Sequence, residues 1–263
     1  MHLPNRDFTV LIDLAENIIN RFFACIPRAT PSTQDFKSTR IIAHRGAHHN
    51  TQGFKENTPA AFKKAAELGC WGIEFDLHQT ADKVLVVNHD PDLQRLWGHK
   101  ESIANLSFAQ LRNLEPNIPS LDEVVKEFGR HLHLFIEIKS PFIDARLLFE
   151  SLKDLRPEKD YHILSLKADY FSSITQFPKA CLLLVPLHNN VKAFCNLSLK
   201  EQYGGVLGSY VLLTASMIKV LQADKQKIGV GFVDSKNGLY REINRGIRWI
   251  FTNNAEEVVR YMG

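Results

Sequence analysis

From residue 40 onward the chain alternates short apolar runs with longer stretches in which apolar residues recur every three or four positions. The short runs cover residues 40–44 (RIIAH), 72–77 (GIEFDL), 84–88 (VLVVN), 133–138 (HLFIEI), 161–165, 181–185, 204–207, 228–233 and 249–252. Runs of this length, rich in Ile, Val and Leu, read as buried strands. The stretches between them read as helices, and several carry end signals. Asn57-Thr58-Pro59 offers a capping side chain and then proline in the first turn, where its missing N–H costs nothing. Ala60, Phe62, Ala65, Ala66 and Leu68 follow at helical spacing, and Gly69 closes the run. Ser120 and Glu123 form a capping box before a helix over 121–128, and residues 141–155 and 255–262 are further helices. Strands alternating with helices predict an α/β fold with a parallel sheet, here a (β/α)8 TIM barrel. Nine strand candidates are one more than eight, so one lies outside the barrel or is no strand.

Upstream, Leu11, Leu14, Ile18, Ile19, Phe22 and Phe23 mark an amphipathic helix over residues 8–26. Asp13, Glu16 and Arg21 interrupt it, which a secretory signal would not tolerate. Its apolar face predicts packing against the barrel as a lid over the N-terminal end, with weak peripheral membrane contact as a second reading. Residues 27–39 (PRATPSTQDFKST) read as a linker. The expected organisation is an N-terminal helix and linker over 1–39, and one barrel domain over 40–263.

Composition narrows the partners. A net charge of +3, without a dense basic stripe, predicts no nucleic-acid partner. Cys25, Cys70, Cys181 and Cys195 show no CxxC pairing and sit beside apolar residues, as reduced buried thiols do. No stretch approaches the roughly 20 apolar residues of a membrane span, and the expected location is cytoplasmic. Nothing in the sequence assigns an oligomeric state.

Candidate chemistry comes from ionisable residues placed where apolar strands stop. They are His44-Arg45 after RIIA, Glu74 and Asp76 in GIEFD, His89-Asp90 after VLVVN, and Glu137 with Lys139 in LFIEIK. An unpaired buried charge costs several kcal/mol, and the C-terminal ends of barrel strands are where active-site groups converge. Glu74 and Asp76, two apart, share one face of a strand. With Glu137 they offer three carboxylates to one point, an all-oxygen set that selects a hard cation, Mg2+ or Ca2+. His44 and His89 titrate near neutrality and suit acid/base work, and Arg45 offers a planar fork for phosphate oxygens. His78 reads as a hydrogen-bonded structural residue, His48 and His49 as solvated, and Trp71, Trp97 and Trp249 as packing.

These residues fall into a wider pattern: His44-Arg45-Gly46, Glu56-Asn57-Thr58, Gly72-Ile73-Glu74-Phe75-Asp76, Thr80 with Asp82, Val86-Val87-Asn88-His89-Asp90, Leu93 with Arg95, Ile118-Pro119-Ser120-Leu121 and Ile136-Glu137-Ile138-Lys139. In order and spacing, the chain resembles the glycerophosphodiester phosphodiesterase family. The resemblance implies hydrolysis of glycerophosphodiesters, small-molecule substrates, to an alcohol and glycerol 3-phosphate. It implies Glu74, Asp76 and Glu137 as ligands of a divalent cation, His44 and His89 as the acid/base pair, and Arg45, Lys139 and Glu56 as substrate-side residues. A lysophospholipase D-like or phosphoinositol-type diesterase on the same barrel is the alternative. The chain also departs from the family pattern. Lys83 stands where glycine is usual, Arg95-Leu96-Trp97 replaces R-T-T, and Ser165-Leu166 replaces S-F. Gly231-Phe232-Val233-Asp234 replaces W-T-V-N, which removes the tryptophan wall at the mouth with Phe232 one place along and bears on substrate choice, and Thr252-Asn253 replaces T-D.

Overall fold

The computed structural model describes residues 18, 21–49, 53–140 and 143–262. Strands β1 (Arg40–His44), β2 (Gly72–Gln79), β3 (Leu85–Val87), β4 (His133–Ile138), β5 (Tyr161–Ser165), β6 (Leu182–Leu184), β7 (Gly205–Ser209), β8 (Lys227–Gly231) and β9 (Trp249–Thr252) form one sheet. Its order runs β1-β9-β8-β7-β6-β5-β4-β2-β3, and β1 also pairs with β2. Leaving out β3, eight parallel strands therefore close into a barrel wrapped by helices, as the alternation predicts. The surplus strand is β3. It pairs antiparallel with the end of β2, Leu77 opposite Val87, and so folds back down toward the barrel mouth instead of joining the ring.

Alternation along each strand divides two apolar cores. Ile42, Phe135, Leu164, Leu183, Leu207 and Phe251 fill the barrel interior, while outward residues such as Ile41, Ile73, Phe75 and Ile163 meet the helices. A third cluster, including Val86, Leu93, Trp97 and Leu111, packs the excursion that carries β3. The barrel floor holds a ring stack: Trp71 lies 4.3 Å from His133, whose Nε2 is 2.7 Å from Nδ1 of His162.

The N-terminal segment differs from expectation. Most of the 8–26 helix lies outside the described residues; residues 21–25 are helical. Phe23 packs on Tyr210, in the loop after β7, with Arg241 above its ring. That loop is at the C-terminal end of the strands, opposite to the predicted lid position. The chain then descends beside helix Lys236–Asn244: Asn237 donates to the Ala24 carbonyl and Asn244 to that of Ala29. Nor are residues 27–39 a plain linker. Thr33–Ser38 is a helix capped by Ser32, fastened by Arg248 to Asp35 and by Phe36 against Tyr240. The helix expected over 141–155 is shorter, Ala145–Leu152, because Asp144 caps it by accepting from Arg146 N and Leu147 N.

Candidate active site

Strand register assembles the acidic cluster. His44 on β1 lies opposite Glu74 on β2, and Asp76 opposite Glu137 on β4. All three carboxylates point into the upper barrel, and each offers an oxygen within 4.8 Å of the others. They are buried, Asp76 completely. Burial, then the charges of Asp76 and Glu137, push Glu74 well above the ordinary carboxylate range. Burial pushes Glu137 up to about 7 against the pull of Lys139. On Asp76 burial acts the same way, but Lys139 and Arg45 outweigh it and hold that carboxyl below its usual range. Asp76 Oδ1 and Glu137 Oε1 lack an aligned hydrogen-bond donor, although Lys139 Nζ lies 2.9 and 2.5 Å from them. Buried carboxylate oxygens with unfilled acceptor capacity, and no sulfur or nitrogen among the donors, fit a hard divalent cation.

The histidines reach the cluster by different routes. His44 ends β1, with Nε2 3.6 Å from Glu74 Oε2 and Nδ1 2.7 Å from Oδ1 of Asn253. An amide oxygen only accepts, so Nδ1 carries the proton and Nε2 keeps its lone pair. Burial, then the charge of Arg45, lowers His44 to about 3. His89 arrives on the descending β3 arm: the Asn88 N–H donates to the Asp76 carbonyl, and His78 Nε2 lies 3.1 Å from the His89 carbonyl. His89 Nδ1 is 2.9 Å from Oδ1 of Asp90. Burial lowers its pKa while the charge of Asp76 works the other way. His44, Arg45, Glu74, His89, Glu137 and Lys139 all line one cleft.

Arg45 sits in the left-handed region at φ 54°, and Gly46 follows at φ 80°. A side chain on Gly46 would lie 2.9 Å from Ala61 and Phe62, so only glycine lets this turn settle on helix Pro59–Glu67. The turn aims the Arg45 N–H at Glu74 Oε2, 3.1 Å, and its guanidinium at Glu56 and Asp76. Glu56, expected among substrate contacts, is placed otherwise. It is outside the cleft wall, its carboxylate taken by Arg45 and Arg95. It supports Arg45 from behind.

Three residues carry more than the sequence reading gave them. In the helix-opening Asn57-Thr58-Pro59, Thr58 supplies the capping side chain, and Asn57 Nδ2 donates instead to Asp76 Oδ2 at 2.8 Å. Asn253 orients His44 and is held by Asp234, which accepts from the Asn253 N–H. Arg95 joins Glu56 to Asp90. Phe232, one place along from the lost tryptophan, supplies an aromatic ring at the mouth, its centroid 4.3 Å from that of His44. His48 is half-buried beside Asn253 instead of solvated, while His49 is exposed. His78 is structural as expected, and Trp97 packs while donating to Asn88.

With this geometry in place, the relationship to known proteins is decisive. The model of the glycerophosphoryl diester phosphodiesterase family matches residues 44–257. The chain belongs to that family. As a member it is a phosphoric diester hydrolase by class. Glycerophosphodiester phosphodiesterase 1 of Mus musculus is 34% identical over 159 residues, 54% of this chain and 46% of the mouse protein. The glycerophosphodiester phosphodiesterase of Caldanaerobacter subterraneus subsp. tengcongensis is 26% identical over 246 residues, covering 84% of this chain and 96% of its own length. This family member thus spans under half of the mouse relative and nearly all of the bacterial one. The crystal structure of the Thermotoga maritima glycerophosphodiester phosphodiesterase superposes with a TM-score of 0.73 at 26% identity, over 84% of this chain and 97% of that one.

Proposed function

We propose that the barrel hydrolyses glycerophosphodiesters to an alcohol and glycerol 3-phosphate, with Glu74, Asp76 and Glu137 holding a divalent cation. One observation carries this reading: three buried carboxylates and two histidines from separate segments meet at one cleft. Mg2+ and Ca2+ both accept such a donor set. When bound, the cation offsets charge on the phosphoryl oxygens.

The chain's own residues divide the remaining work. Arg45 and Lys139, both on the cleft wall, bind the non-bridging oxygens and stabilise charge there. Glu56 and Arg95 keep Arg45 in place. His44, whose amide partner leaves Nε2 unprotonated, takes the proton of the attacking water or substrate glycerol hydroxyl. His89, whose carboxylate partner Asp90 favours the imidazolium, protonates the departing alkoxide as the P–O bond breaks. Asn57 holds Asp76 in register with Glu137.

The test is hydrolysis of glycerophosphocholine and related diesters by the full chain, after chelation and again after Mg2+ or Ca2+ is restored. The reading expects loss on chelation and recovery on restoring one or both ions. Full turnover in excess chelator would refute the cation; no turnover with any diester would refute the reaction. A cytoplasmic setting goes with the reading, supported by Cys70, Cys181 and Cys195, which are buried as free thiols. Among the described residues, no helix is long and apolar enough to cross a membrane.

A further inference from the structure

Away from the cleft, the N-terminal segment brings a third arginine to a cluster that already holds two. On helix Lys236–Asn244 and just past it, Arg241 and Arg245 share the carboxylate of Glu242, which is completely buried. Both of its oxygens are taken: Oε1 accepts from both arginines, and Oε2 accepts from Arg245 at 2.9 Å. The same two side chains donate to the Tyr210 carbonyl, at 3.0 and 3.2 Å, and Arg245 donates to that of Leu213. Arg28 is delivered alongside by two anchors of its own segment, the Ala24 carbonyl on Asn237 and the Ala29 carbonyl on Asn244. Burial lowers the pKa of Arg241, Glu242 opposes it, and the charges of Arg245 and Arg28 add to the lowering. The Nε of Arg28 is shut off from solvent, yet it meets no acceptor among the described residues.

A buried donor without an acceptor is costly, the more so when it is charged, and calls for a partner from outside the chain. Three guanidiniums against one carboxylate leave two positive charges in excess. We propose that Arg28 and Arg241 form a binding site for a phosphate group, free or as a monoester, between the N-terminal segment and helix Lys236–Asn244. Guanidinium forks match phosphate oxygens in geometry. A phosphate monoester carries about −1.5 to −2 charge at neutral pH, which balances the excess, whereas a carboxylate leaves half of it. The bound group ties the N-terminal segment to the barrel, because Arg28 belongs to one and Arg241 to the other. Arg28 lies upstream of residues 44–257, the part that the family shares, and neither arginine lines the cleft. The inference is therefore independent of the phosphodiesterase reading.

Cys25, in the same segment as Arg28, is exposed, while Cys70, Cys181 and Cys195 are buried. The rate at which a neutral maleimide labels the full chain therefore reads the segment itself. It is measured against inorganic phosphate and, separately, glycerol 3-phosphate, with sodium chloride at matched ionic strength as control. The expected result is a saturable slowing with one or both phosphates and none with chloride. Slowing by inorganic phosphate alone assigns the free ion, and slowing by glycerol 3-phosphate assigns the monoester. Arg28→Gln should weaken the apparent affinity by about 10- to 100-fold, the worth of a charged hydrogen bond. Arg28→Lys keeps the charge without the fork and should fall between, which separates lost binding from lost folding. Phosphate also meets Arg45 and Lys139 in the cleft, so the slowing that counts is the part Arg28→Gln removes. Slowing by neither phosphate, slowing that chloride reproduces, or unchanged affinity in Arg28→Gln overturns the inference.

Discussion

Asn57 gives the sharpest test of how the site is held. Its side chain is buried, donates to Asp76 Oδ2 at 2.8 Å and returns Oδ1 toward the Asp76 N–H at 3.4 Å. Its backbone lies at φ 59°, which asparagine tolerates and alanine does not. Asn57→Gly keeps the backbone and removes the hydrogen bond; Asn57→Ala removes the bond and adds backbone strain. A hydrogen bond to a charged acceptor contributes about 1.5–3 kcal/mol, so the glycine variant should lose about 2 kcal/mol. The left-handed conformation adds about 1 kcal/mol more for alanine. Because Asp76 is a proposed ligand, loss of its buried partner should weaken cation binding by about 10- to 100-fold. Urea unfolding without added cation reads the first effect, and calorimetric titration with Mg2+ or Ca2+ reads the second. A glycine variant with unchanged unfolding midpoint and unchanged cation affinity would refute the claim that Asn57 positions this carboxylate.

Three further outcomes follow from the same coordinates. His44→Ala and His89→Ala should each lower kcat by at least ~10², the usual worth of a general acid or base; near-normal turnover in both would remove them from the mechanism. His133, on the barrel floor, is lowered to about 4, chiefly by burial. Between an unfolded value near 6.5 and that folded value the unfolded chain binds more protons. Its stabilising effect is therefore complete above about pH 6.5 and falls by up to about 1.4 kcal/mol per unit as pH drops toward 4. Urea midpoints across that window for the parent chain and for His133→Asn check it, and the same slope with pH in both would show that His133 is not buried neutral. Lys83 holds φ 67°, so Lys83→Gly should raise thermal stability by about 1 kcal/mol; a lower Tm would contradict the strain.

The barrel was legible because its signals are local and repeated. Buried parallel strands are apolar on both faces, so RIIAH, GIEFDL and HLFIEI stand out at their observed positions, Arg40–His44, Gly72–Gln79 and His133–Ile138. What a run of hydrophobic residues does not encode is the direction of its neighbour. VLVVN reads as another barrel strand, yet β3 pairs antiparallel and lies off the ring. The segment 27–39 misled for a related reason. Pro, Ser and Thr signal a loop, but Ser32 caps a short helix whose stability comes from Arg248 and Tyr240, more than 200 residues away.

At the site the same division holds, and it separates the proposed ligands from the residues that aim them. Glu74, Asp76, Glu137 and both histidines were legible because a charge at the end of an apolar strand is expensive unless it has work to do. Asn57 and Asn253 carry no charge and sit in ordinary helix-start and loop contexts, so burial cost does not flag them. Their function depends on what stands on the neighbouring strand: Asp76 on β2 for one, His44 on β1 for the other. At Asn253 the identity of the residue matters as much as its place. Asparagine there accepts from Nδ1 without adding a negative charge, whereas an aspartate would favour the imidazolium and take the lone pair from Nε2. The amide therefore suits His44 to the base's part proposed above and leaves the proposed acid's part to His89, whose partner is the carboxylate of Asp90. That asymmetry between two similar imidazoles arises from neighbours 209 residues and one residue away in the chain, and only folding brings the first of them into contact.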